Sequence, residues 1–324
     1  MTKKALITGI AGQDGSYLAE LLLAKGYEVH GIVRRIAIED SEHKLKNIGH
    51  LLDRIKLHVA SLDNVLSLIK VVRAVSPDEC YHLAASSFVS YSFEDEMSIL
   101  NNNINTTHYL LAALKEFVPE CRFYYAGSSE MFGTVAHSPQ DEATPFNPRA
   151  IYGVSKVAGY HLVRNYRSQY AMYACSGILY NHESARRGYE FVTRKIVSSA
   201  VKIKLELRHE LALGNLDAHR DWGYAPDYVN AMWLMLQAEQ PDDYVVATGE
   251  THTVREFVEM TFTAVGLDYE KYVRVDPKFF RPTEQVQLCG NPARIMAALG
   301  WKRTKTLREI VAEMVAEEMK LHEQ

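Results

Sequence analysis

Short apolar segments alternate with longer amphipathic segments over roughly the first 180 residues of the chain. The run "KALITGI" has the length and β-branched composition of a strand, and "SYLAELLLAKG" follows it with apolar residues at helical spacing. Gly26 stands where such a helix would end. The alternation recurs in the strands "YEVHGIVRR", "IKLHVAS", "ECYHLAA", "RFYYAGS" and "ACSGILYN" and in helices over about 62–75, 97–117 and 152–170. Repeated βα units predict an α/β fold, a doubly wound parallel (Rossmann-type) sheet covered on both faces.

The rhythm of strands and helices loosens after residue 180, which predicts a second, smaller C-terminal α/β substrate lobe. Two segments within 221–250, "DYVNAMWLMLQ" and "DYVVATGE", have the patterns of a helix and a strand that return to the sheet. We therefore expect a dinucleotide-binding domain over 1–180 plus about 221–250, and a substrate-binding lobe over 181–220 and 251–324. The tail "LREIVAEMVAEEMKLHEQ" has the pattern of an amphipathic helix.

Composition narrows the class of protein. The 324 residues are 47% hydrophobic and 23% charged, with a net charge of −4, which argues against a general nucleic-acid or anionic-membrane surface. The apolar runs fall short of the ~20 residues that span a bilayer. The four cysteines lack metal-ligand spacing, so we expect buried thiols, no metal and a reducing, cytoplasmic location.

The first βα turn, "GIAGQDG", carries Gly9, Gly12 and Gly15 in a GxxGxxG pattern. Glycines at this turn let the backbone approach a pyrophosphate, which then lies at the N-terminus of the next helix. A tight turn without a ligand would also need glycines. Its position as the first turn of a doubly wound pattern favours dinucleotide binding.

Arg34 and Arg35 end the second strand, where NAD-binding proteins carry an acidic residue for the ribose 2′-hydroxyl. Arginines suit a 2′-phosphate, because they form charge-assisted and often bidentate hydrogen bonds. The sequence therefore predicts NADP as cofactor, with two solvated surface arginines as the alternative.

A second chemical motif is Tyr152 and Lys156, which share one face of a predicted helix. An ammonium ~4 Å from a phenolate could supply the ~4 kcal/mol that brings a tyrosine pKa towards neutrality. Ser128 and Glu130 follow the preceding strand, so all four side chains should face one crevice at the carboxyl ends of the strands. Glu130 could instead cap a helix or form a salt bridge.

Together with "NHES", "FVTRK", "LGNLDAHRDWGYAPDYV" and "FFRPTE", these motifs resemble the extended short-chain dehydrogenase/reductase family, and within it the GDP-mannose 4,6-dehydratases, from about residue 4 to 310. The resemblance implies NADP-dependent conversion of GDP-mannose to GDP-4-keto-6-deoxymannose. Tyr152, held by Lys156, would take the O4 proton, Glu130 would remove the C5 proton and assist loss of the C6 hydroxyl, and Ser128 would hydrogen-bond O4.

The resemblance also implies two sets of binding residues. The expected cofactor contacts are Gly9, Ile10, Ala11, Gly12, Gln13, Asp14, Gly15, Arg34, Arg35, Ser61, Leu62, Leu83, Ala84, Ala85, Ser86, Ser87, Tyr152, Lys156, Leu179, His182 and Arg187. The expected GDP-sugar contacts are Ser87, Ser128, Glu130, Asn181, Val192, Lys195, Arg220, Arg281 and Glu284. Arg186 and Arg194 add to the same string of basic residues. The family resemblance further implies a homodimer or homotetramer.

Several positions depart from the family pattern, among them Ser61, Ser86, Ser98 and Ala185, and so does the loop after Arg35. The sugar could therefore be another GDP-sugar, such as a GDP-manno-heptose. A GDP-4-keto-sugar reductase or epimerase of the same fold is a second alternative, against which Glu130 argues. A non-enzymatic dinucleotide sensor is a third, against which the intact Ser128, Tyr152 and Lys156 set argues.

Overall fold

The computed structural model of the chain describes residues 2–85, 96–280 and 287–323. The strands are β1 (Lys4–Thr8), β2 (Glu28–Val33), β3 (Lys56–Val59), β4 (Glu79–His82), β5 (Arg122–Ala126), β6 (Ala174–Leu179), β7 (Asn181–Glu183), β8 (Leu211–Leu213), β9 (His219–Arg220), β10 (Trp222–Tyr224), β11 (Tyr244–Val246), β12 (His252–Thr253) and β13 (Val273–Val275). The helices are α1 (Gln13–Ala24), α2 (Arg35–Glu39), α3 (Ser41–Lys44), α4 (Val65–Val75), α5 (Glu96–Phe117), α6 (Ile151–Tyr170), α7 (Val192–Lys204), α8 (Ala225–Gln237), α9 (Val254–Ala264), α10 (Ala293–Leu299) and α11 (Leu307–Glu323).

Seven strands form one parallel sheet in the order β11-β6-β5-β4-β1-β2-β3. Successive residues of β1 enter different cores, because side chains alternate across a strand. Ala5 and Ile7 pack with α1 and α8, whereas Leu6 packs with α4, α5 and α6 on the opposite face. The predicted doubly wound α/β sheet is confirmed.

The strand order reverses between β1 and β4, which are neighbours in the sheet although β2 and β3 follow β1 in the chain. The crevice outside the carboxyl ends of strands at such a switch point is where open α/β sheets bind ligands. The glycine turn follows β1, and Ser128 follows β5. The fold therefore brings both motifs to the same edge of the sheet.

A smaller hydrophobic cluster forms the C-terminal lobe, with side chains from α7, α9 and α11 around Trp222 and Phe257. Its strands are short, and each pairs with a strand that is distant in sequence: β8 with β13, β9 with β12, and β10 with β7. Within 221–250, α8 packs on the sheet and β11 pairs with β6 at its edge.

The helix expected over 97–117 is present as α5 and ends at the predicted residue. The helix expected over 152–170 begins one residue earlier, at Ile151, and ends at the predicted residue. The helix expected from residue 62 begins only at Val65, because the Asn64 side chain accepts a hydrogen bond from the Ser67 N–H and caps it there. The segment after Arg35, expected to be a loop, instead lies largely in α2 and α3. These are one-turn helices, too short for an amphipathic period to reveal.

Candidate active site

The turn after β1 is shaped by close backbone packing. Gly9 has a φ of +75°, a region that side chains disfavour. A Cβ on Gly15 would lie 2.2 Å from the Gly9 carbonyl oxygen, so helix α1 could not pack so closely with any other residue there. The N-cap of α1 is Gly12, which has no side chain to accept hydrogen bonds from the first turn. The N–H groups of that turn are therefore suited to bind an anion.

A cleft of about 1400 Å³ runs from this turn across the carboxyl ends of the strands and into the smaller lobe. It collects most of the residues that the sequence singled out. These are Gly9, Ala11, Gly12, Gln13, Asp14, Gly15, Arg34, Ser61, Leu62, Leu83, Ala84, Ala85, Ser128, Glu130, Tyr152, Lys156, Leu179, Asn181, His182, Arg187, Val192, Lys195 and Arg220.

Two predicted contacts lie elsewhere. The Ile10 side chain is fully buried in the core, where it packs under Gly31. Arg35 begins α2 and does not line the cleft, whereas Arg34 does. Ser86, Ser87, Arg281 and Glu284 lie outside the described residues.

The catalytic candidates meet where α6 begins. Ser128 is the N-cap of a single 3-10 turn, and its Oγ accepts a hydrogen bond of 3.2 Å from the Glu130 N–H. Gly153 allows close packing, since a Cβ there would lie 2.6 Å from the Glu130 carbonyl oxygen. Glu130 thereby lies against the helix that carries Tyr152.

Lys156 is almost fully buried, and its Nζ donates a 2.8 Å hydrogen bond to the Ala126 carbonyl oxygen. The same nitrogen lies 5.1 Å from the centre of the Tyr125 ring and 5.7 Å from that of Tyr152. Among the described residues no carboxylate pairs with it. Burial lowers the pKa of Lys156 to about 8.

Burial raises the pKa of Tyr152 to about 12, although the Ser128 hydrogen bond and the Arg187 charge act in the opposite direction. The sequence led us to expect that Lys156 alone would bring this pKa towards neutrality. That expectation is wrong for the protein groups by themselves, because Lys156 is directed at the Ala126 carbonyl and burial disfavours the phenolate.

A buried polar network beneath these residues was not predicted. His82 joins strand β1 to helix α5, with Nδ1 2.8 Å from Thr8 Oγ1 and Nε2 3.1 Å from Thr107 Oγ1. Burial, with a smaller contribution from Lys156, lowers the pKa of His82 to about 3. His82 is thus neutral at physiological pH and supports the sheet edge below the cleft. In the sequence, the signal for a buried His82 is its position within the mostly apolar strand segment "ECYHLAA".

The glycine turn is also bonded directly to the smaller lobe. Asp14 Oδ2 lies 2.9 Å from His182 Nε2, and His182 Nδ1 lies 2.7 Å from the Tyr180 carbonyl oxygen. Gln13 Nε2 donates to the His182 carbonyl oxygen, and Ser184 Oγ donates to Gln13 Oε1. Burial alone would lower the pKa of His182, but the Asp14 carboxylate reverses the effect and raises it, as expected for an ion pair.

In the smaller lobe, Lys195 Nζ donates to the Ala212 carbonyl oxygen at 2.8 Å and lies 4.1 Å from the centre of the Phe279 ring. Its neighbour Arg194 does not face the cleft. Arg194 is buried in an ion pair with Glu318 of α11, so its place in the predicted string of ligand-binding cations was wrong. Arg186 lines the cleft but pairs with Glu20.

No cluster of His, Cys, Asp and Glu that could hold a metal occurs in the described part of the chain. The cysteines are free, and Cys289 is half-buried rather than buried as expected. None of the described helices is long and apolar enough to cross a membrane.

Comparison with known proteins matches residues 6–314 to the family model of GDP-mannose 4,6 dehydratase. The chain belongs to this family. It is 47% identical to GDP-mannose 4,6 dehydratase 2 of Arabidopsis thaliana, over 98% of this chain and 87% of the relative. It is 43% identical to GDP-mannose 4,6-dehydratase of Vibrio cholerae, over 99% and 95% of the two chains. The family assignment makes the chain an enzyme of the dehydratase (hydro-lyase) class.

Solved structures agree with the fold. RMD from Pseudomonas aeruginosa, complexed with NADPH, superposes with a TM-score of 0.82 at 23% identity, over 98% of this chain and 100% of that one. dTDP-glucose 4,6-dehydratase from Bacillus anthracis, in complex with NAD, superposes with a TM-score of 0.85 at 20% identity, over 99% and 98%. A nicotinamide cofactor is common to both neighbours.

Proposed function

We propose that the chain catalyses the NADP-dependent dehydration of GDP-mannose to GDP-4-keto-6-deoxymannose. The observation that carries the proposal is the position of Glu130, which lines the same cleft as Ser128, Tyr152 and Lys156. A reductase or 4-epimerase of this fold needs a hydroxyl, a tyrosine and a lysine at C4. Removal of a proton from C5 needs a further base, and we assign this role to the carboxylate of Glu130, which lines the cleft.

The residues present fit a dinucleotide. The uncapped first turn of α1, which begins after Gly12, suits a pyrophosphate, and Arg34 lines the cleft at the end of β2, where it suits a ribose 2′-phosphate. When bound, the nicotinamide would accept a hydride from C4 of the hexose and return it to C6. Arg34 is the support for NADP rather than NAD.

The chain's own groups divide the proton transfers. Tyr152 takes the O4 proton, and the Lys156 Nζ lies 5.7 Å from the centre of its ring. Ser128 donates a hydrogen bond to O4 and stabilises charge that develops there. Once C4 is a ketone, the C5 proton is acidic. Glu130 removes it and then delivers a proton to the departing O6.

Cations of the smaller lobe suit the GDP part. Lys195 and Arg220 line the cleft, and their charges complement a diphosphate. Asn181 and Val192 line it beside them. Residues 1–180 with 221–250 would bind the cofactor, and 181–220 with 251–324 the nucleotide sugar.

We also propose a homodimer or homotetramer, since Met97 and Phe117 of α5 and Val154 of α6 expose large apolar side chains. Light scattering measures that assembly.

The test is incubation of the protein with GDP-mannose and catalytic NADP⁺, followed by mass spectrometry. We expect loss of one water from the nucleotide sugar and no net accumulation of NADPH. Stoichiometric NADPH without loss of water would identify a dehydrogenase and contradict the proposal. Turnover of a GDP-manno-heptose but not of GDP-mannose would retain the chemistry and correct the sugar.

A further inference from the structure

Glu183 is a buried carboxylate in the cleft to which neither the sequence motifs nor the proposed chemistry gives a role. It ends β7, is 1% exposed and lines the cleft. Its Oε2 accepts a 2.5 Å hydrogen bond from Thr193 Oγ1, in the first turn of α7. The same oxygen lies 3.3 Å from Nε of Arg187. A carboxylate at this depth is costly unless its charge is compensated, and Arg187 supplies the compensation.

Arg187 is held from two sides. Its guanidinium lies 3.6 Å from the centre of the Phe191 ring, and its Nε lies 3.3 Å from Glu183 Oε2. The loop that carries it is closed by backbone hydrogen bonds from Arg187 to Ser184 and from Phe191 to Gly188. The ion pair with Glu183 and the ring contact with Phe191 restrict the guanidinium where it lines the cleft.

The charge of Arg187 acts on both halves of the site. Burial raises the pKa of Glu183, and Arg187 opposes that rise more than any other group. Arg187 also contributes to the lowered pKa of Asp14, beside the glycine turn, and opposes the rise that burial causes in the pKa of Tyr152. The guanidinium lines the same cleft as the first turn of α1, which is suited to bind a diphosphate.

We propose that Glu183 is a positioning residue that acts through Arg187, by directing its guanidinium towards a diphosphate in the cleft. The inference rests on the proposed function, in which both the cofactor and the nucleotide sugar carry a diphosphate. A guanidinium binds phosphate oxygens through a planar fork, so its orientation matters as much as its charge.

A double-mutant cycle measured by calorimetric titration tests this coupling. NADP⁺ and GDP are titrated separately into the wild type, Glu183→Gln, Arg187→Gln and the double variant. We expect Glu183→Gln to raise the Kd of at least one ligand about tenfold, as for one weakened charge-assisted hydrogen bond. In the Arg187→Gln background the same change should add nothing, because the residue it positions is gone. The ligand whose Kd responds identifies the diphosphate concerned.

Glu318→Gln is the matched control, because it neutralises another buried carboxylate that pairs with an arginine of the same lobe, away from the cleft. It should lower Tm and leave both Kd values unchanged. If Glu183→Gln does not fold, Thr193→Val removes the hydroxyl that orients the same oxygen and should raise the same Kd, again only when Arg187 is present.

An unchanged Kd in Glu183→Gln, or additive effects of the two substitutions, would overturn the inference and leave the proposed function standing. Failure of the wild type to bind either NADP⁺ or GDP would overturn the proposed function, and this inference with it.

Discussion

Lys156 and Arg194 are both almost fully buried cations, at 4% and 3% exposure, but their surroundings differ. Arg194, between α7 and α11 of the smaller lobe, is paired with the carboxylate of Glu318. Lys156, at the edge of the main sheet, has a backbone carbonyl and two tyrosine rings as neighbours, with no carboxylate partner in the described ranges. Burial lowers the pKa of Lys156 to about 8.

The difference separates a charge that serves the reaction, that of Lys156, from a charge that stabilises the fold, that of Arg194. A buried cation without a counter-ion is destabilising, and it is retained where its charge acts on a reacting group. A buried cation with a full counter-ion fixes two elements against each other and has little effect beyond them. Substitutions at the two sites should therefore have opposite effects on stability and on catalysis.

The largest effect on stability is expected from Arg194→Met. The change leaves the Glu318 carboxylate buried without its partner, so the free energy of unfolding should fall by ~3–5 kcal/mol. Turnover per folded molecule should stay near that of the wild type, because Arg194 does not line the cleft. Chemical denaturation together with active-site titration measures both quantities. A stable variant with reduced turnover would place Arg194 in the site.

Lys156→Met should have the opposite outcome. Its folded pKa of about 8 lies below the unfolded value of 10.5, so burial of the charged form costs stability at pH 7. The variant should be more stable than the wild type there, by on the order of 3 kcal/mol, and should lose turnover. The wild type regains stability relative to the variant as pH rises from about 8 through 10.5. Urea unfolding at pH 7 and pH 10 checks the sign, and a variant less stable at pH 7 would refute it.

A smaller effect is expected at the cofactor end of the main sheet. Arg34→Ala should weaken NADP⁺ binding by ~1.5–3 kcal/mol, because one charged hydrogen bond to the 2′-phosphate is lost, and should leave NAD⁺ binding almost unchanged. Arg35→Ala is the neighbouring control, since Arg35 does not line the cleft. Fluorescence titration of both cofactors gives the ratio of the Kd for NAD⁺ to the Kd for NADP⁺ in each variant. Equal preference for NAD⁺ and NADP⁺ in the wild type would contradict the assignment of NADP.

The main sheet could be predicted from sequence because each of its βα units is local. Apolar alternation and helical spacing are read over ten to twenty residues, and Tyr152 follows Glu130 within one such unit. The smaller lobe could not be predicted in this way. β9 and β12 have two residues each and pair across more than thirty positions of the chain. Strands of two residues are too short to show the alternation of apolar and polar residues by which a strand is recognised.

The same limit explains which site residues were missed or misplaced. Lys195 and Arg194 are adjacent in sequence but point about 100° apart on α7, and the sequence does not show which of them faces the cleft. The Asp14–His182 pair joins residues 168 positions apart, and neither its spacing nor its composition marks it. Such contacts depend on how the two lobes pack.

The central claim, that Glu130 is the C5 base, is tested most directly by single-turnover measurements on Glu130→Gln with Tyr152→Phe as comparator. Glutamine keeps the shape of the side chain and removes its basicity, so elimination should slow by about 10²–10⁴-fold. Enzyme-bound NADPH should still form in Glu130→Gln and persist beside a 4-keto-hexose that retains its C6 hydroxyl, with little deuterium exchange at C5. Tyr152→Phe should form no NADPH. Wild-type turnover in Glu130→Gln, or loss of NADPH formation as complete as in Tyr152→Phe in a folded protein, would contradict the claim.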